Sequence, residues 1–190
     1  MRKSARTKER LPNGLESREM ISEVHSPGEI MEVRALFLEY AASLGFSLCF
    51  QDFQQELDTL PGKYSPPHGT LLLATDSLGV SAGCVGVRPL GADECEMKRL
   101  YVRRSHRSAG TGRELVEAAL AWARIRGYRA MNLDTIPGKM EAAIRLYRSL
   151  GFVECPPYYE TPIAGTLFFT RALSSWPDKT AIVPGQISPI

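Results

Sequence analysis

The sequence predicts one α/β domain, a mixed sheet with helices on both faces. Three observations predict it. The 190 residues suffice for a single core of ordinary size, and 44% apolar with 23% charged residues is the balance of a globular protein. Helical and strand-like apolar patterns occur in a definite order: helices, a run of strands, then strand, helix, strand, helix, strand. Glycine stands just past each longer helical pattern, at Gly45, Gly127 and Gly151, where a left-handed residue ends a helix.

Taken in order, the ordered domain is expected over residues 18–173. A basic tail, 1–17, precedes it and a proline-bearing tail, 174–190, follows. A short strand is expected near Met20 to Val24. Ser26-Pro27-Gly28-Glu29 reads as a helix start, with serine as N-cap, proline in the first turn and an acid three residues on. That helix carries Ile30, Val33, Phe37, Tyr40 and Leu44 on one face. A second short helix is expected over Phe53 to Leu60, before the breaks at Pro61-Gly62 and Pro66-Pro67.

Three strands come next. Leu71 to Ala74 is a buried run; Ala82 to Val87 alternates loosely, with Gly83 and Gly86 marking bends or close approach; Cys95 to Val102 follows the turn at Gly91-Ala92-Asp93. A helix from Gly110 to Arg126 shows Leu115, Val116, Ala119, Leu120 and Ala123 as a stripe. Ala130 to Asp134 is a strand. Pro137-Gly138 leads into a helix with Ala143, Leu146, Tyr147 and Leu150 in register, and Phe152-Val153 and Leu167 to Phe169 are the last strands.

Composition narrows the function classes. A net charge of +2 does not point to nucleic acid or an anionic membrane as partner. The basic residues of the first ten positions sit in a stretch read as a solvated tail. No signal peptide is recognised, and no apolar run approaches the roughly 20 residues that span a bilayer. Cys49, Cys84, Cys95 and Cys155 lack CxxC spacing and read as reduced thiols of a cytosolic protein; His25, His68 and His106 lack metal spacing, so no metal is expected.

The informative stretch runs from Glu96 to Gly112: a strand, a glycine-bearing turn and a helix start. Amides in the first turn of a helix have no partner within it, the helix dipole adds positive character there, and glycine lets a ligand approach the backbone. A diphosphate suits such a place, and Arg107 and Arg113 add cations. Taken alone, the same turn is equally a tight connection with no ligand. It is not a P-loop, because Gly112 is followed by Arg113-Glu114, and it lacks the third glycine of a dinucleotide fingerprint.

Leu100-Tyr101-Val102 followed by Arg107-x-x-Gly110-x-Gly112 resembles the acetyl-coenzyme A motif of the GNAT superfamily of N-acetyltransferases. Ala143-Ile144-x-Leu146-Tyr147-x-x-x-Gly151-Phe152 resembles its second hallmark, in the right order. The resemblance covers about Leu71 to Leu173. It implies a V-shaped mixed sheet whose two central parallel strands splay apart. It further implies that the pantetheine arm of acetyl-coenzyme A lies along Leu100, Tyr101 and Val102, where backbone groups of Leu100 and Val102 lack sheet partners. The diphosphate would rest on Arg107, Ser108, Ala109, Gly110, Thr111, Gly112 and Arg113. Met140 departs from the pattern: an asparagine is frequent there, and methionine cannot supply its hydrogen bond, a loss the segment Thr135 to Lys139 is placed to offset.

Aminolysis of a thioester needs a base for the amine, donors for the oxyanion and an acid for the sulfur. By resemblance, Glu96 is the expected base, with Glu94 as a weaker alternative, and Tyr147 the expected acid; a backbone N–H near Leu100 or Val102 is the expected oxyanion donor. Glu96 reads equally as a solvated strand carboxylate paired to Lys98 or an arginine, and Tyr147 as a core aromatic. Pro156 to Glu160, with Phe46, Phe50 and Phe53 opposite, is the candidate border of the acceptor pocket, or else ordinary core and loop packing. Arg99 reads as a solvated strand charge, or else as a binder of an acceptor carboxylate. The expected partner is a small-molecule amine, acetylated by direct attack in a ternary complex, and the protein is a monomer or a homodimer. A catalytically silent acyl-coenzyme A sensor and an acetyltransferase of protein lysines or N-termini are the alternatives.

Overall fold

The structure, a computed structural model, describes residues 19–45, 52–107 and 109–173. The expected tails, Cys49, Phe46, Phe50 and Ser108 lie outside the described residues. In chain order the elements are β1 (Met20–Glu23), α1 (Pro27–Leu44), α2 (Phe53–Asp58), β2 (Thr70–Thr75), β3 (Ser81–Pro89), β4 (Glu94–Val102), α3 (Thr111–Ile125), β5 (Ala130–Thr135), α4 (Glu141–Ser149), β6 (Val153–Cys155) and β7 (Leu167–Ala172).

Helix starts and stops follow local chemistry. The Ser26 hydroxyl accepts from the Glu29 amide at 3.2 Å while the Glu29 carboxylate accepts from the Ser26 amide at 2.9 Å, the reciprocal bonds of a capping box. Gly45 closes α1 with φ 72°. The second helix stops at Asp58, two residues earlier than expected. Leu60 precedes Pro61, whose ring disfavours helical backbone in the residue before it.

One seven-stranded sheet has the order β1-β2-β3-β4-β5-β7-β6. Every adjacent pair is antiparallel except β4 and β5. Two apolar layers cover its faces. On one, Leu115, Val116, Leu120 and Ala123 of α3 and Ile144 and Tyr147 of α4 pack on Val85, Val87, Met97, Met131 and Leu133. On the other, Val33, Leu36 and Phe37 of α1 and Leu57 of α2 pack with Tyr64 on Leu71, Leu73 and Cys84. The two expected close-approach glycines are such positions. A Cβ on Gly83 would stand 2.5 Å from the Tyr101 carbonyl oxygen, and one on Gly86 would stand 2.5 Å from Cε1 of Tyr64.

The feature that positions the site is where the parallel ladder stops. Strands β4 and β5 pair only at Glu94↔Ala130, Cys95↔Met131 and Glu96↔Asn132. Beyond Glu96 they run unpaired, so the sheet opens as the expected V. A second irregularity lies in the same stretch of β4. Its pairing with β3 shifts between Cys84↔Tyr101 and Gly86↔Lys98, and Arg99 takes φ 59°. This is a β-bulge: two residues of β4, Arg99 and Leu100, stand opposite Val85. A left-handed conformation at a non-glycine residue costs about 1 kcal/mol or more, so the surroundings must hold Arg99 there.

Candidate active site

Helix α3 begins where β4 and a short turn deliver it. Gly110 takes φ 97°, and its carbonyl accepts from the amides of Arg113 at 2.8 Å and Glu114 at 3.1 Å. The amides of Ala109, Gly110, Thr111 and Gly112 meet no acceptor among the described residues. Four donors at the positive end of a 15-residue helix make a place for an anion. A Cβ on Gly110 would meet nothing within 4 Å, so that side of the turn is open to a ligand. The Thr111 hydroxyl donates to the His106 carbonyl at 3.2 Å, and the His106 imidazole lies 3.3 Å from Asp76 on the β2–β3 turn, which anchors the approach to the helix.

Leu100 and Val102 turn their side chains to the α3 side of the sheet, whereas Tyr101 packs with the α1 layer and meets the Tyr40 ring edge-on at 6.3 Å. Both expected cations have partners. Arg107 donates from Nε to the Val102 carbonyl at 2.9 Å and lies over the Tyr101 ring; Arg113 donates to Ser149 Oγ at 2.7 Å. The Val102 carbonyl thus has a side chain as partner and none on β5.

Tyr147 of α4 is 4% exposed and packs edge-on against Phe152. The chain has seven tyrosines. Six have a partner for the hydroxyl: Arg99 for Tyr40, Glu56 for Tyr64, Glu39 for Tyr101, the His68 carbonyl for Tyr128, Glu96 for Tyr158 and Asp134 for Tyr159. The Tyr147 hydroxyl has none among the described residues. Burial, the largest cause, with the electrostatic influence of Tyr40 and Asp134, pushes it well above the usual phenol range, so it keeps its proton. Tyr147 belongs to the apolar layer that includes Leu100 and Val102 of β4 and Leu133 of β5, on the stretches where the two strands diverge.

Glu96 is not a solvated strand carboxylate: it is 1% exposed. Arg88 grips one oxygen with Nε at 2.8 Å and Nη2 at 2.6 Å; the Tyr158 hydroxyl donates to the other at 2.9 Å, and Lys98 Nζ lies 3.4 Å from it. Glu94, the weaker alternative, accepts from Asn132 Nδ2 at 2.7 Å. Arg99 is not solvated either. Its side chain is 3% exposed, and it donates to Glu56 of α2 through Nε at 3.1 Å and Nη2 at 2.6 Å. Burial pulls the Glu56 carboxyl upward, but the hydrogen bonds and charge of Arg99 outweigh it, and the net shift is down.

Three residues at this opening were not singled out from sequence for a functional role. Asp134 of β5 bonds to the Lys98 ammonium and to Tyr159. Burial raises its carboxyl, but Lys98 prevails and holds it below the usual range. Tyr40 is pushed up to about 12, mainly by burial. Period-2 alternation from the core residues Met131 and Leu133 puts Asp134 on the opposite face, a signal that was available. The approach of Tyr40 and Glu56 to Arg99 had no local signal. The loop after β6 does border the opening: Tyr158 and Tyr159 stack edge-on with each other and with Phe168. Phe53 lies beneath the Arg99 guanidinium at 5.1 Å.

At Met140, the Thr135 hydroxyl donates to the methionine sulfur at 3.4 Å, so this side chain is held by the segment before it. Among the described residues no group of histidine, cysteine and acid side chains could hold a metal, and no helix is long and apolar enough to cross a membrane.

Comparison with known proteins gives concordant results. Residues 32–152 match the family described as Acetyltransferase (GNAT) family. An N-acetyltransferase of Schizosaccharomyces pombe, itself uncharacterized, is 39% identical over 155 residues, 81% of this chain and 94% of the relative. A GNAT-family acetyltransferase structure from Staphylococcus aureus superposes with a TM-score of 0.67 at 19% identity, covering 82% of this chain and 99% of that one. Spermidine N-acetyltransferase from Vibrio cholerae, solved with CoA and spermine, gives 0.64 at 17% identity, covering 83% and 96%. At these identities the structural likeness shows the fold.

Proposed function

Because the chain belongs to the GNAT acetyltransferase family, we propose that it transfers an acetyl group from acetyl-coenzyme A to a primary amine, by direct attack in a ternary complex. The observation that carries this reading is Tyr147. A hydroxyl with no partner among the described residues, at the accessible tip of an otherwise buried ring beside the opening of the sheet, is a proton donor held in reserve. Acetyl-coenzyme A, when bound, supplies the activated acyl group as a thioester.

The residues present suit that co-substrate. The amides of Ala109, Gly110, Thr111 and Gly112 would hold the diphosphate, with Ser108 between them and Arg107. Arg107 and Arg113 would join by leaving their present exposed contacts, which cost little to break. Leu100, Tyr101 and Val102 offer backbone groups without a β5 partner, and a backbone amide of the bulged segment is the proposed donor to the acyl oxygen. The CoA bound to the Vibrio cholerae structural neighbour is consistent with this assignment.

Tyr147 donates its proton to the departing sulfur. The burial that makes a phenol reluctant to ionise also makes a thiolate more basic in the same cleft, which favours the transfer. Glu96 receives the proton of the amine. It is reached through the Tyr158 hydroxyl, which already donates to it at 2.9 Å and whose oxygen keeps a lone pair for the amine. The ion pairs to Arg88 and Lys98 hold Glu96 in place for this role.

The test is thiol release from acetyl-coenzyme A in the presence of amino acids, polyamines, aminoglycosides, simple amines and peptides. Saturable, amine-dependent release supports the reading. Coenzyme A binding with no release on any amine would make the protein an acyl-coenzyme A sensor instead.

A further inference from the structure

Among the described residues, the face of the sheet opposite α3 carries, at the opening, many charges and no spare ones. The bulge puts consecutive residues, Lys98 and Arg99, on that same face, where alternation would otherwise have separated them. Each cation is already matched: Arg99 by Glu56 with two bonds, Lys98 by Asp134 and Glu96, and Arg88 by Glu96 with two bonds. Three carboxylates and three cations cancel. Of the tyrosine hydroxyls around them, Tyr158 donates to Glu96 and Tyr159 to Asp134, while Tyr40 accepts from Arg99.

What remains for a visitor, among the described residues, is uncharged: ring surface, the Tyr40 O–H and a lone pair of Tyr158. Tyr40, Phe53, Tyr158 and Tyr159 are all half-buried, and they reach the site from α1, α2 and the loop after β6. An acceptor carboxylate would have to take a cation from its partner, and a second ammonium would have to take a carboxylate. Either exchange strands a buried charge, which is costly. An apolar body asks for neither and gains from covering the rings.

Resting on the acetyltransferase reading above, we propose that the acceptor is a monoamine on an apolar, aromatic-sized body, with neither a carboxylate nor a second ammonium beside the reacting nitrogen. The charge-cancelled floor rejects zwitterionic and polycationic amines, and the four rings form the walls.

The experiment compares kcat/KM of the full chain, with acetyl-coenzyme A, for 2-phenylethylamine, phenylalanine and 1,5-diaminopentane. The expected result is at least about a tenfold preference for phenylethylamine over both others. A second arm uses Glu56→Gln, which removes the carboxylate matched to Arg99. The ratio of phenylalanine to phenylethylamine turnover should rise in that variant, and because it compares two acceptors on one preparation, partial loss of folded protein does not affect it. Phenylalanine or the diamine used as well as phenylethylamine by the unaltered protein overturns the proposal while leaving the acetyltransferase reading intact, as does turnover of peptides alone. Coenzyme A binding without turnover of any amine overturns both.

Discussion

Glu96 stands opposite Asn132, and that pairing is the last that β4 and β5 make before they diverge. The carboxylate proposed as base thus sits at the apex of the V. The bulge at Arg99 follows three residues later, and Tyr147 of α4 packs in the layer that includes Leu100, Val102 and Leu133.

Tyr147→Phe removes the hydroxyl and keeps the ring that packs 5.8 Å from Phe152. Turnover should fall by about 100-fold, the contribution of a positioned acid. Coenzyme A affinity, measured by calorimetry, should stay within about twofold. Unchanged turnover would remove Tyr147 from the mechanism.

Gly110 has φ 97° beside the four amides. Asparagine and aspartate tolerate left-handed backbone about equally well, so comparing Gly110→Asn with Gly110→Asp separates strain from charge. The aspartate should bind coenzyme A at least about tenfold more weakly than the asparagine, because it brings a carboxylate to a site built for a diphosphate. Equal affinities would place the diphosphate elsewhere.

The parts of this arrangement differed in how far the sequence revealed them. The α1 capping box and the glycine ends of the helices rest on residues within a few positions of one another, and they were legible. The opening of the sheet was legible only through the paired motifs, since no local rule marks where a ladder stops. The bulge was invisible, because its left-handed residue is Arg99 rather than glycine. Nothing local marks the same residue as buried, because its partner, Glu56, is 43 positions away on α2. Ion pairs between distant elements depend on how helices dock on the sheet, which apolar periodicity does not specify.

Glu56→Gln should be destabilising by about 3 kcal/mol at neutral pH, because it leaves the Arg99 guanidinium buried without its countercharge. The folded-state carboxyl lies below its ordinary value. Its stabilisation is therefore present above the ordinary glutamate pKa of about 4.3 and is lost as pH falls through the depressed folded value. Thermal unfolding should show the widest gap between the two proteins near pH 7 and a narrowing gap below about pH 4. A gap that does not change with pH would mean the pair contributes nothing electrostatic.

Gly86→Ala tests the packing beneath the site. The added methyl would meet Cε1 of Tyr64 at 2.5 Å, and Tyr64 holds Glu56 through its hydroxyl at 2.6 Å. A loss of about 2 kcal/mol is expected by urea unfolding. No loss would mean that the Tyr64 ring moves freely.

The most direct test is a crystal structure of the protein with coenzyme A. The account predicts the diphosphate on the amides of Ala109 to Gly112 and the pantetheine arm beside Leu100 to Val102, with its sulfur at the Tyr147 hydroxyl. Coenzyme A bound at another place, or β5 paired with β4 through Val102, would contradict it.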